Sequence, residues 1–96
     1  MKTFFMKDMV KDQRWLEETI GSMKEEKVYV TIDMDVFDPS IMPSVGTPEP
    51  GGMGWYETLA LLKRLSREKE IIGFDVVELA PMPGNVSPDF LAAKLI

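Results

Sequence analysis

Val28-Tyr29-Val30-Thr31-Ile32-Asp33-Met34-Asp35 is a β-branched and aromatic run that stops at two carboxylates. Such a run reads as a buried strand over 28–32, with Asp33 at its end. If the extended conformation persists through Met34, Asp33 and Asp35 point to the same side, with Cα atoms roughly 6–7 Å apart. Two bare carboxylates so close repel each other in a partly buried site, and a divalent cation removes the conflict. Oxygen donors suit Mn²⁺ or Mg²⁺ better than a soft metal, and paired carboxylates can hold two ions about 3.5–4 Å apart. Acids also solvate strand ends without binding anything, so the pair alone is a weak signal of a metal site.

Working outward, residues 38–54 hold Pro39, Pro43, Pro48 and Pro50 with Gly46, Gly51, Gly52 and Gly54. That density excludes regular structure and predicts a long, stiffened loop, a kind that is usually functional. A helix follows over about 55–68, with Trp55, Leu59, Leu62 and Leu65 on one stripe. Ile71 to Leu79 is a second near-continuous apolar run, as in a parallel strand covered on both faces. After a Pro/Gly loop at 80–86, Ser87-Pro88 reads as an N-cap followed by proline at the first helical position, opening a helix Asp89–Ile96. Before the first strand, Thr3–Met6 suggests a short strand, and Asp12 an N-cap for a helix over about 13–26. Strand, loop, helix, strand is a βαβ unit with a right-handed crossover, so the fold class is α/β, a parallel sheet with flanking helices. Ligands bind such sheets outside the carboxyl ends of the strands, where Asp33, Asp35 and Glu78 fall.

The 96 residues bound one domain or part of one, and a free-standing fold of this size is marginal. A hydrophobic fraction of 45% with 28% charged residues is an ordinary globular mixture. The net charge of −5, with Lys and Arg scattered, argues against binding nucleic acid through phosphate contacts. It leaves room for a cationic small substrate. No cysteine means no disulfide framework and no thiolate metal site, as in a cytoplasmic protein. No run approaches the ~20 apolar residues of a membrane span, and Lys7 and Asp8 interrupt the start too early for a signal peptide. No histidine means that neither His acid–base catalysis nor His ligation comes from these residues.

Asp33-Met34-Asp35-Val36-Phe37-Asp38-Pro39, then Gly46-Thr47-Pro48-Glu49-Pro50-Gly51-Gly52, then Gly73-Phe74-Asp75-Val76-Val77-Glu78 form an ordered set. The set closely resembles the C-terminal signature of the ureohydrolase (arginase/agmatinase) family: SxDxDxxDP, a GTPxxGG loop, a helix and a GxDxxE strand. The likeness covers nearly all of 28–96, and the elements before it also fit. Thr31 stands where the motif usually has Ser, and Glu49-Pro50 is more like agmatinases than arginases. The resemblance implies a three-layer arginase-like fold, of which residues 1–96 are a C-terminal segment with no internal boundary. It implies that Asp33 and Asp35 ligate a binuclear Mn²⁺ centre and that Glu78 grips the substrate guanidinium. Thr47 and Asp75 are then candidates for orienting the ligands through hydrogen bonds. Asp38 is expected to be structural, starting a turn before Pro39. The implied reaction is attack of metal-activated water on a guanidino carbon, with agmatine giving urea and putrescine in polyamine biosynthesis. Family members are usually homo-oligomers.

The family's other metal ligands, a separate histidine and a D-A-H-x-D motif on earlier strands, have no counterpart in this sequence. The isolated segment is therefore expected to be inert, as a piece of a longer or split enzyme. A second possibility is a non-catalytic remnant or binding module. A third is a haloacid-dehalogenase-like phosphatase fragment, in which Asp33 is a nucleophile and Asp35 a general acid. That third possibility leaves Gly46–Gly52 and Phe74–Glu78 unexplained.

Overall fold

The structure is a computed structural model, and it describes residues 2–96. Helices α1 (Met6–Met9) and α2 (Trp15–Gly21) precede strand β1 (Lys27–Asp33). A 3₁₀ turn (Met34–Val36) and the long loop lead to α3 (Trp55–Glu68), β2 (Glu70–Val77) and α4 (Ser87–Leu95). β1 and β2 pair in parallel, completing the βαβ unit. Their register steps from Val28↔Ile71 to Tyr29↔Gly73, leaving Ile72 as an extra residue, and then runs regularly to Asp33↔Val77.

The core lies at the carboxyl ends of the strands. Met34, Phe37 and Met42 are essentially inaccessible and cluster with Val45 and Ala92. Ile32 and Val76 from the sheet, Trp55 from α3 and Leu91 and Leu95 from α4 pack around them. Burying each large side chain contributes about 1.5–3 kcal/mol, so the segment just after β1 anchors the fold. The loop docks on it in two places. The Asp38 amide donates to the Met53 carbonyl at 3.0 Å and the Met53 amide to the Val36 carbonyl at 2.8 Å. Farther along, Val45 forms an antiparallel bridge with Leu79.

Helix α3 starts where the Gly54 amide donates to the Glu57 carboxylate at 3.1 Å, satisfying one orphan donor of the first turn. Arg64 on α3 donates twice to Glu17 of α2, at 2.6 and 2.7 Å, and once to Glu68 at 2.6 Å. This holds α2 beside α3.

Several expectations are corrected. Thr3–Met6 is not a strand: residues 2–5 have no regular structure and α1 begins at Met6. The helix expected over 13–26 is only Trp15–Gly21. Asp12 does not cap it, because its carboxylate is occupied by the amide and guanidinium of Arg14, each at 3.0 Å. α4 begins at Ser87 rather than Asp89, with Val86 in the N-cap position and no side-chain cap. β2 stops at Val77, two residues early, because Glu78 takes a positive φ of 66°. The strands are not covered on both faces either. β1 alternates exposed and half-buried residues, and β2 leaves Ile72, Phe74 and Val77 exposed, since among the described residues only two strands and few helices are present to cover them.

Candidate metal and substrate site

The expected site residues collect at the carboxyl end of the sheet. Asp33 is the last residue of β1 and pairs with Val77, the last of β2, so Glu78 follows immediately across from it. The extended conformation does not persist through the Asp-x-Asp motif. Asp33 is still extended, with φ −87° and ψ 123°, but Met34 enters the 3₁₀ turn. The reason is packing: Met34 and Phe37 both turn into the core, which a straight strand with alternating faces does not allow. Asp33 caps that turn, its Oδ1 accepting from the Asp35 amide at 3.1 Å. The two acids are thus held together by the backbone itself.

Thr47 reaches this pair from the loop. Its hydroxyl donates to Asp35 Oδ2 at 2.8 Å, across twelve residues of sequence. Each aspartate therefore has one oxygen engaged by the protein. Asp33 Oδ2 and Asp35 Oδ1 have no hydrogen-bond partner among the described residues. Hard oxygen donors so arranged suit a hard divalent cation. They are also too few to enclose one: among the described residues no three acids converge as a cage. An octahedral ion takes about six oxygen ligands.

Asp38 shapes the loop. One carboxylate oxygen accepts from the Ser40 amide at 3.0 Å, and the other from the amides of Gly51 and Gly52 at 3.1 and 3.3 Å. Hydrogen bonds from Ser40, then from Gly51 and Gly52, hold its carboxyl below the usual carboxylate range. The turn role expected of Asp38 is present, and its grip on the double glycine thirteen residues on is an addition. Gly52 is needed there, since a Cβ would sit 2.5 Å from the Asp38 nitrogen and the Phe37 carbonyl carbon.

Asp75 lies one step back along the sheet. It pairs in register with Thr31 and accepts from the Thr31 hydroxyl at 2.5 Å. It makes no hydrogen bond to Asp33 or Asp35 among the described residues, so any influence on them passes through Thr31 and the strand. The Asp75 carboxylate also raises the pKa of the neighbouring Tyr29 hydroxyl, favouring its protonated, donating form. Glu78 is exposed and in the left-handed region, a conformation uncommon outside glycine and costing about 1–2 kcal/mol. Neither that conformation nor the burial of Ser44, whose carbonyl accepts from the Ala80 amide, has a signal in the residue types.

The family model described as the arginase family matches residues 1–96. This chain belongs to the arginase family. Membership takes in the loop and the second strand as well as the Asp-x-Asp motif, the features that the phosphatase alternative leaves unexplained. An N(1)-aminopropylagmatine ureohydrolase of Synechocystis sp. is 51% identical over 92 residues, covering 96% of this chain and 30% of that protein. Among solved structures, the agmatine ureohydrolase of Thermoplasma volcanium superposes with a TM-score of 0.78 at 38% identity, over 94% of this chain and 30% of its own. The arginase of Bacillus caldovelox superposes with a TM-score of 0.86 at 30% identity, over 99% and 33%. The arginase-like fold is thereby shown, as a partial domain. The chain spans about 30% of the length of the curated relative named above. No helix among the described residues is long and apolar enough to cross a membrane.

Proposed function

We propose that this arginase-family segment supplies two metal ligands and the guanidinium-binding carboxylate of a manganese-dependent hydrolase of guanidino compounds. The observation that carries the proposal is the Asp33–Asp35 pair. It sits at the mouth of the sheet, tied to the loop by Thr47, with one free oxygen on each acid. Asp33 and Asp35 would hold the cation, with the remaining ligands coming from segments these 96 residues do not contain. The chemistry such a metal supplies when bound is the acidification of water near neutral pH.

The chain's own groups do the rest. Thr47 fixes the orientation of Asp35 by donating to its Oδ2. Asp75 steadies the strand end through Thr31. Glu78 presents a carboxylate that can accept a bidentate pair of N–H bonds from a planar guanidinium. Agmatine is the proposed substrate class, giving urea and putrescine in a cytoplasmic homo-oligomeric enzyme. A second reading is favoured by the 51% identity to an aminopropylagmatine ureohydrolase: a substrate with a longer polyamine tail. The isolated segment, with two ligands only, is proposed to be inactive.

The test is urea release by the complete protein from agmatine, N(1)-aminopropylagmatine and arginine, with Mn²⁺ and after chelation. Manganese-dependent release from one of the two agmatines, faster than from arginine, is the expected result. Full activity after complete metal removal would overturn the mechanism.

A further inference from the structure

Val76 and Leu79 both pack on the Met34–Phe37–Met42 core. In a continuous strand they would face opposite sides, because residues an odd number apart alternate. Val76 and residue 78 would share the core face. The chain avoids that outcome at one residue. Glu78 has φ 66°, is exposed, and reverses the alternation so that Leu79 takes the core position instead. The reversal is clamped on its far side. Leu79 bridges Val45, and the Ala80 amide donates to the Ser44 carbonyl at 2.8 Å. Ser44 is buried, and two residues beyond Val45 the same segment carries Thr47, which holds Asp35.

We infer that the left-handed turn at Glu78, clamped by the Ser44-Val45 pairing with Leu79-Ala80, is a positioning device. It lifts the Glu78 carboxylate out of the core face and fixes it beside the loop that orients Asp35. Val45 and Leu79 are its positioning residues. The catalytic meaning of the device rests on the proposed function, whereas its backbone basis does not. A left-handed glutamate at an otherwise regular strand end is a local cost that persists only where surrounding structure enforces it, and such outliers gather at functional sites.

The experiment uses the complete protein and has two arms. In the first, Glu78→Gly and Glu78→Ala are compared by thermal unfolding. Both remove the carboxylate, so they differ only in backbone preference. The glycine variant is expected to melt a few degrees above the alanine variant, because only glycine enters φ > 0 freely. At an ordinary strand position the order reverses, and an alanine variant melting at or above the glycine variant overturns the inference. In the second arm, Leu79→Ala is expected to raise KM for the guanidino substrate roughly tenfold or more, and Leu79→Met to restore it. A merely structural Leu79 would lower the amount of folded enzyme and leave KM unchanged, which overturns the positioning role. A wild-type protein without urea release defeats the proposed function alone, and the glycine–alanine comparison still decides the clamp.

Discussion

At the residue scale, a few side chains turn a Pro/Gly-rich loop into a defined wall of the site. Asp38 does this by accepting from three backbone amides, and hydrogen bonding from Ser40 above all, then from Gly51 and Gly52, holds its carboxyl below the ordinary carboxylate value. A group with a depressed folded pKa stabilises the fold fully above its unfolded pKa and loses that contribution as pH falls through the folded value. Protection of the Gly51 and Gly52 amides, measured by NMR in the complete protein as exchange relative to the unfolded chain at the same pH, should therefore be full near neutrality and be lost as pH falls below the ordinary aspartate range. In Asp38→Asn it should be lower throughout. Gly52→Ala forces a methyl against the backbone of Phe37 and Asp38, which must shift. The expected loss is about 1–3 kcal/mol in urea unfolding. Thr47→Val removes the donor to Asp35 while keeping size. Manganese affinity measured by calorimetry should fall about 10–100-fold, and Thr47→Ser should retain most of it.

At the element scale, the 3₁₀ turn after β1 is where fold and site are joined. Its buried Met34, followed by Phe37, anchors the turn that carries Asp35. Phe37→Ala should cost about 3–5 kcal/mol by chemical denaturation, comparable with the whole stability of a small domain. The strands and α3 were legible in the residues because their signals are long and periodic: Val28–Ile32 is β-branched, and Trp55–Leu65 repeats at helical spacing. The turn was not legible. Met34 lies in an apolar-polar alternation that also suits an extended strand, and only tertiary packing of Met34 with Phe37 decides against it. The helix α2 was legible but its bounds were not: Asp12 looks like a cap but is taken by Arg14, and the helix is only Trp15–Gly21. Glu78 was identifiable as a site candidate from the motif, but no residue preference signals a left-handed glutamate.

At the scale of the whole molecule, the chain is more open than its length suggests. Its radius of gyration is 13.9 Å, where a compact chain of this size has about 12–13 Å. A groove of about 870 Å³ runs along the unpaired edge of β1, between α2 and α3, lined in part by Met23, Val30, Leu61 and Leu65. Apolar strands read from the sequence as doubly covered are thus only partly covered here, since that pattern reports the neighbours a strand is made for and not those present. The 96 residues alone should therefore bind a hydrophobic dye and associate with rising concentration in sedimentation, whereas the complete protein should not bind the dye. Everything functional turns on whether Asp33 and Asp35 share a cation at the sheet mouth. Anomalous diffraction at the manganese edge, from crystals of the complete protein grown with Mn²⁺, measures this directly. The predicted result is anomalous density in contact with both carboxylates and within reach of the loop bearing Thr47. Manganese bound elsewhere, with both aspartates solvated and uncoordinated, would contradict it.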